Sequence, residues 1–145
     1  MNAHPTPRVP SRRIGRSILA VLAGIVVGIV FSTATDFALH AIGFAPSVKE
    51  RWPNHLLALA VLYRSIYGIF GSYVIARLAP SRPMGHSLVA GTLGLLMSSV
   101  GAAAAWSTTV GQHWYPVVLA LTALPTAWIG AKLWLMQLHP QTAAV

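Results

Sequence analysis

The stretch that decides the fold is SILAVLAGIVVGIVFSTATDFALHAI, residues 17–42, in which Asp36 is the one charged side chain. About 20 mostly apolar residues in a helix cross the hydrocarbon core of a bilayer, so this stretch is long enough to span a membrane. Three more apolar segments predict further spans, at residues 56–78, 87–106 and 115–138. We therefore predict an all-α, polytopic membrane protein with four transmembrane helices in an antiparallel bundle.

The composition favours a membrane protein over a water-soluble one. The chain of 145 residues is 55% hydrophobic and only 8% charged, and its mean hydropathy is +0.64. Soluble domains carry about 25% charged residues, so this chain has too few to cover a water-soluble surface. No Asp, Glu, Lys or Arg lies between Arg82 and Lys132, which fits two spans joined by a polar turn. The absence of cysteine excludes disulfides, thiolate metal sites and cysteine nucleophiles.

The basic residues lie at the edges of the apolar segments and predict the orientation. The net charge is +8, and one predicted side of the membrane holds seven Lys and Arg whereas the other holds two, Lys49 and Arg51. The side richer in Lys and Arg is normally cytoplasmic, so we predict that both termini are cytoplasmic. The excess of positive charge is therefore explained by the orientation of the protein in the membrane. We expect the lipid bilayer, not nucleic acid, as its partner. The seven residues are Arg8, Arg12, Arg13, Arg16, Arg77, Arg82 and Lys132.

The two ends of the chain are polar. Residues 1–16 hold four arginines and three prolines and predict a disordered, basic cytoplasmic tail. Residues 139–145 predict a short C-terminal tail, which leaves residues 17–138 as the transmembrane domain. The basic flank and first apolar run imitate a signal peptide, but three more spans follow, so we predict a retained span. Aromatic residues typical of membrane interfaces flank the spans at Trp52, Trp106, Trp114, Tyr115 and Trp134.

Small residues recur along the predicted helices. In lipid, helices are held together by close backbone approach and interhelical hydrogen bonds. In the first span, small residues recur in steps of four and the series continues into Asp36 and His40, which places Asp36 on the packed face. We interpret these stripes as helix contacts, with a homodimer face or the seam of a conduit as the alternative. The predicted packing residues are Gly24, Gly28, Ser32, Gly68, Gly71, Gly91, Gly94 and Ser98.

Asp36 and Arg64 are predicted to form an ion pair inside the membrane. A charged side chain at the centre of a spanning helix costs about 2.5–3.5 kcal/mol, so each needs a partner or a purpose. At 1.5 Å per residue, Asp36 lies about 9 Å from the end of the first span and Arg64 about 12 Å from the start of the second. Both side chains therefore reach the same layer, where a guanidinium can bind a carboxylate. The expected polar surroundings are Thr33, His40, Tyr63 and Tyr67.

The pair has two interpretations. As a lock, it fixes the register of the first two helices, and the protein is a small inner-membrane protein with a structural or accessory role beside an unidentified membrane partner. As a functional group, Asp36 exchanges a proton while Arg64 binds an anion or tunes Asp36, and the protein is a small proton-coupled transporter or channel, acting as a homodimer. Ionisable groups inside a membrane usually serve a function, but a matched pair neutralises itself. A polar cavity open past His40 and Tyr67 would favour transport, whereas a lock should be dry.

Histidines provide a weaker alternative, and enzyme signatures are missing. His40, His55 and His113 are predicted near the outer surface, where imidazoles can bind zinc or copper on the periplasmic side. Their spacing contains no HExxH motif and is typical of polar surface residues, so we predict no resident metal and no cofactor. The sequence contains no phosphate-binding glycine loop and no GxSxG, and its two acids are Asp36 and Glu50. We therefore predict no catalytic residues and no enzyme.

Four short segments stand out as a set: TDFALH (35–40), YRSIY (63–67), GSYVIARLAP (71–80) and HWYP (113–116). Together they resemble a family of small bacterial membrane proteins with four predicted helices, over residues 14 to 133. The resemblance implies a bacterial inner membrane and carries no activity or substrate. The architecture is also similar to that of small multidrug resistance transporters, dimers built around a carboxylate in the first helix. Asp36 departs from that pattern because it lies late in its helix and has Arg64 as its expected partner.

Overall fold

The computed structural model describes residues 11–46, 50–106 and 112–142, and it contains four α-helices packed as a bundle. The described residues include no β-strand. Each helix is long and apolar enough to cross a membrane. The predicted all-α fold with four spanning helices is confirmed. The helices are α1 (Ser11–Ala41), α2 (Asn54–Leu78), α3 (Pro83–Ala105) and α4 (Trp114–Thr142).

Prolines set several of the helix ends. Pro53 precedes α2 in an extended conformation, and Ala79, also extended, ends that helix immediately before Pro80. Pro83 lies in the first turn of α3, where the missing N–H costs no hydrogen bond. Arg82 just before it has a left-handed backbone with φ of 46°. The turn between α2 and α3 is therefore short and sharply defined.

All four helices extend beyond their predicted spans, and α2 begins two residues and α3 four residues early. The prediction placed residues 11–16 in a disordered tail, whereas α1 is helical from Ser11. Arginine has a high helix propensity and no proline follows Pro10 in this segment, so the helix can continue past the apolar run. At the other end, α4 continues to Thr142, four residues past the predicted end of the span. The predictions for residues 1–10, 47–49 (which include Lys49) and 143–145 lie outside the described residues.

The helices alternate in direction, so the bundle has two distinct ends. At one end the start of α4 meets the start of α2, where Trp114 Nε1 donates a hydrogen bond to Asn54 Oδ1 over 3.0 Å. At the opposite end Tyr73 OH of α2 donates to Gln137 Oε1 of α4 over 2.7 Å. We call the first the loop end, because it carries the α1–α2 and α3–α4 connections. The second is the terminal end, where α1 begins and α4 ends.

The parallel helices α2 and α4 form the centre of the bundle. They pack closely because Gly130 has no side chain: a Cβ there would collide with the carbonyl of Ile69 and lie 2.7 Å from Ser72 Cβ. The helix α3 packs mainly on α4. The helix α1 packs on α2, touches α3 at few positions and, over the described residues, makes no contact with α4. The outer helices α1 and α3 thus flank the central pair almost independently of each other.

The outer helices pack tightly only toward the terminal end. The buried residues of α1 are Ala20 and Gly24, and those of α3 are Ser87 and Gly91, all in the half of each helix nearer that end. Ser87 Oγ also donates a buried hydrogen bond to the carbonyl of Ser72, over 3.0 Å. Toward the loop end, the described side chains of α1 and α3 are all half-buried or exposed. The outer helices are therefore closed onto the central pair toward the terminal end and looser toward the loop end, where α2 still has Leu56, Leu57, Ala60 and Tyr63 buried.

Candidate functional site

The carboxylate of Asp36 is bound by two side chains of the neighbouring helix. Arg64 Nη2 lies 2.7 Å from Asp36 Oδ2 in an ion pair. Tyr63 OH donates a hydrogen bond to the other carboxylate oxygen, Oδ1. Asp36 is on α1 and both partners are on α2, so these contacts join the two helices near the loop end. The structure thus brings together the two charged residues that the depth argument placed in one layer.

Arg64 makes further contacts with two aromatic rings. Its Cζ atom lies 5.9 Å from the ring centroid of Tyr63 and 5.9 Å from that of Tyr115. A guanidinium at this distance from an aromatic face is stabilised by the ring quadrupole. Sequence analysis assigned Tyr115 only to the aromatic belt. Tyr115 lies at the start of α4 and Arg64 ten residues into the parallel helix α2, so the rise per residue gave no signal for this contact.

The other predicted neighbours take different positions. His40 Nδ1 donates to the backbone carbonyl of Asp36 over 2.7 Å, and its ring lies 5.5 Å from that of Trp52. Tyr67 does not bind the pair, because its hydroxyl shares a 2.8 Å hydrogen bond with Thr35 Oγ1. Thr35 was not among the predicted residues. It adds a third polar link between α1 and α2, one turn from the ion pair.

The predicted packing glycines differ in how closely they are approached. A Cβ on Gly71 would lie 2.6 Å from the carbonyl oxygen of Gly24, and one on Gly24 would collide with Ile75. A Cβ on Gly91 would lie 2.6 Å from Ala127 Cβ. These glycines allow backbones to approach closely at the α1–α2 and α3–α4 crossings.

The remaining predicted packing residues are more loosely surrounded. A Cβ on Gly68 would lie 3.2 Å from Thr126 Oγ1, and one on Gly94 would lie 3.7 Å from Ala123 Cβ. At Gly28 the nearest atom, the carbonyl oxygen of Tyr67, would be 3.8 Å away. These glycines line a cavity together with Ser32 and Ser98, so their side of each helix borders open space. Gly130, which sequence analysis did not single out, is the tight contact of the central pair.

The cavity has a volume of about 460 Å³ and is bounded by all four helices. It extends from Gly24 and Ile75, at the closed half of the bundle, to Asp36 and Arg64. Of its lining residues, Asp36 is the one acid and Arg64 the one base, and their side chains are 30% and 35% exposed. The ion pair therefore forms part of the cavity wall, as does Tyr67, whereas His40 does not line the cavity. Hydroxyl-bearing residues complete the polar part of the wall: Ser32, Thr33, Ser65, Tyr67, Ser72, Ser98, Thr122 and Thr126.

The three outer histidines do not assemble into a metal site. His113 donates to the backbone carbonyl of Trp106 over 3.2 Å, whereas His40 contacts Trp52, and His55 is exposed. Across residues 11–46, 50–106 and 112–142, no three His, Asp or Glu side chains lie close enough together to hold a metal ion. Among the described residues, no set of ligands supports the alternative of a metal site on the periplasmic side.

The site combines a titratable carboxylate, a cation beside it and a cavity that reaches both. Arg64 binds the carboxylate through one terminal nitrogen, and its Nε atom is buried without a hydrogen-bond partner. The arrangement places a paired carboxylate and guanidinium in one wall of the cavity. No family model, curated protein or solved structure matches this chain, so its chemistry is argued from this geometry.

Proposed function

We propose that the protein is a small proton-coupled transporter of the bacterial inner membrane, in which Asp36 is the titrating group. The observation that carries the proposal is the position of the Asp36–Arg64 pair in the wall of a cavity of about 460 Å³. A pair that served only as a lock would be expected to be dry. Cavities that bind small molecules measure about 300–1,000 Å³, so this one has room for a small solute.

The shape of the bundle supports access from one side. Ala20 and Gly24 of α1 and Ser87 and Gly91 of α3 are buried, and the described side chains of both helices are less buried toward the loop end. The count of Lys and Arg favours a periplasmic loop end and a cytoplasmic terminal end. In this orientation the Asp36–Arg64 end of the cavity lies toward the periplasm, with both termini inside. Access to this end from the periplasm would be one of the two states that alternating access requires.

Protonation gives the site a way to change state. The neutral form of Asp36 no longer attracts Arg64 by charge, and the ion pair is one of the polar contacts that join α1 to α2 near the loop end. The close crossing of Gly24 and Gly71 would remain as the fixed point of α1. Proton uptake at Asp36 would therefore allow the loop-end half of α1 to move relative to α2. By analogy with the architecture of the small multidrug resistance transporters, we extend the proposal to a homodimer.

A structural or accessory role is the second candidate. It is favoured by three polar links between α1 and α2: Arg64 and Tyr63 each bind Asp36, and Tyr67 binds Thr35. Such links fix the register of two helices, as a lock would. In this case the partner would be another membrane protein, and the cavity would hold only water or lipid.

Proton flux in liposomes tests the transport proposal. Purified protein is reconstituted with an enclosed pH-sensitive dye, and the liposomes are diluted into buffer with and without small anionic, zwitterionic and neutral solutes outside, so that a solute gradient drives the flux. The wild-type protein should acidify the lumen faster than empty liposomes with at least one class of solute, and Asp36→Asn should remove the difference. Glu50→Gln is the matched control, because Glu50 is the other acid of the chain and is exposed outside the helices. Flux that Asp36→Asn leaves unchanged would exclude Asp36 from coupling, and no flux with any solute would favour the accessory role.

A further inference from the structure

Arg64 has more hydrogen-bonding capacity than its carboxylate partner uses. A guanidinium carries five N–H donors in a rigid fork that matches a carboxylate. Asp36 takes one of them, at Nη2, and divides its own two oxygens between Arg64 and Tyr63. The Nε atom of Arg64 is buried and has no partner. The guanidinium is therefore only partly satisfied, although it lies in a wall of the cavity.

The charge balance of the cavity limits what can bind there. With one acid and one base among its lining residues, the cavity is neutral while the two are paired. An uncompensated charge inside a membrane is costly, so a ligand that changes the balance is disfavoured. A monovalent anion at Arg64 would leave one negative charge in excess. The excess is removed if Asp36 binds one proton at the same time.

We propose that the cavity binds a small monovalent carboxylate at Arg64, in place of Asp36, and that Asp36 takes up one proton as this anion binds. The inference rests on the proposed transport function and names its substrate class and its stoichiometry. No covalent bond changes other than the O–H bond formed at Asp36. The ion pair with Asp36 is exchanged for an ion pair between the ligand and the terminal nitrogens of Arg64. One anion and one proton enter together, and the step is electroneutral.

The walls of the cavity indicate the rest of the ligand. Beside the hydroxyls, the cavity is lined by Ile25, Ile29, Ile75 and Leu119, which favour an apolar body behind the carboxylate. Such an acid can come from water, as a short or aromatic carboxylate, or from the bilayer, as a fatty acid. The two sources share the same headgroup chemistry at Arg64.

The charged and titratable neighbours of Asp36 come from three helices. On α2 they are Tyr63 and Arg64, on α1 His40 binds the carbonyl of Asp36, and on α4 Tyr115 stacks against Arg64. The helix α3 lines the cavity near the pair with small residues and hydroxyls, and its one titratable residue, His86, is at the opposite end. Asp36 is the acid whose protonation frees Arg64, so anion binding should strengthen as the pH falls.

Calorimetric titration of the full chain in nanodiscs tests this proposal. The probe is benzoate, and its neutral control is benzamide. We expect the wild-type protein to bind benzoate more tightly in mildly acidic than in neutral buffer, and to bind benzamide weakly in both. Asp36→Asn imitates the protonated acid, so it should bind benzoate about tenfold more tightly than the wild type in neutral buffer and lose the pH dependence. Octanoate, titrated beside octanamide, distinguishes the two sources of the acid. Tighter binding of octanoate than of benzoate indicates an acid taken from the bilayer, and tighter binding of benzoate indicates one taken from water.

A second variant and a control locate the binding at Arg64. Arg64→Gln should abolish benzoate binding, whereas Arg77→Gln, which removes an exposed arginine from the same helix outside the cavity, should bind as the wild type does. Equal affinities for benzoate and benzamide, or weaker benzoate binding by Asp36→Asn, would overturn the inference. The gain expected for Asp36→Asn does not depend on whether Arg64→Gln folds. Solute-dependent proton flux without carboxylate binding would contradict this inference alone, and carboxylate binding without flux would contradict transport alone.

Discussion

Replacing Asp36 and Arg64, singly and together, measures how strongly the contributions of the two side chains to stability are coupled. The single changes are Asp36→Leu and Arg64→Leu, and the third variant carries both. Each single change leaves one charge in the bundle without its counter-ion. The double change removes both charges and leaves apolar side chains of suitable size beside a cavity. We expect each single variant to be less stable than the double variant.

The geometry sets the size of the effect. An unpaired charge at the centre of a spanning helix costs about 2.5–3.5 kcal/mol. Asp36 and Arg64 lie nearer the loop end, and their side chains are 30% and 35% exposed, so water screens part of this cost. We expect a loss of about 2 kcal/mol in the free energy of unfolding for each single variant. The double variant should lose about 1 kcal/mol, mainly from the hydrogen bond that Tyr63 gives to Asp36.

The assay is reversible unfolding in mixed detergent micelles, followed by helicity, for the wild type and the three variants. A double-mutant cycle isolates the coupling between the two sites, which should be about 3 kcal/mol in favour of the pair. Arg77→Leu is the control for loss of an arginine, because Arg77 is exposed and packs over Trp134. If the double variant loses as much as the two single variants combined, the side chains act independently and the reasoning about the uncompensated charge is refuted.

Two further predictions concern packing and orientation. Gly71→Ala places a Cβ 2.6 Å from the carbonyl oxygen of Gly24 and should destabilise the bundle by about 1–2 kcal/mol in the same unfolding assay. Gly28→Ala, whose Cβ would lie 3.8 Å from the nearest atom, should be neutral or stabilising. Equal effects of the two changes would contradict the close α1–α2 crossing. Because the chain has no cysteine, single variants Glu50→Cys and Ser81→Cys report orientation, and a membrane-impermeant maleimide added to intact cells should label position 50 and not position 81. Labelling at position 81 alone would reverse the proposed topology.

The helices and the pair were predictable because each depends on local sequence. Apolar length gives the number of spans, and the rise per residue gives the depth of Asp36 and Arg64 without any knowledge of packing. The recurrence of small residues at every fourth position, which includes Gly24, identified the face of α1 that meets α2. These rules apply within one helix or between consecutive helices. They predicted the residues that the short α1–α2 connection brings together.

Contacts between helices distant in the chain were not predictable in the same way. Gly130 approaches α2, and Tyr115 reaches Arg64, because α2 and α4 lie side by side, and no periodicity within a single helix specifies which helices become neighbours. The cavity has the same origin, since residues from all four helices line it. The hydroxyl of Tyr67 could reach several polar groups, and that it bonds to Thr35 depends on how α1 and α2 are rotated about their axes. The start of α1 at Ser11 reflects helix propensity continuing beyond the apolar run.

The central pairing of α2 with α4 has a consequence for the order in which the chain is made. Segments of a growing chain become available for folding from the N-terminus onward. The partner of α2 in the centre of the bundle is therefore synthesised last, after α3. Arg64, in contrast, meets Asp36 as soon as α2 follows α1 into the bilayer, because the two charges lie on consecutive helices. The two charged side chains that are least favourable inside the membrane are therefore paired with each other while the second half of the chain is still being synthesised.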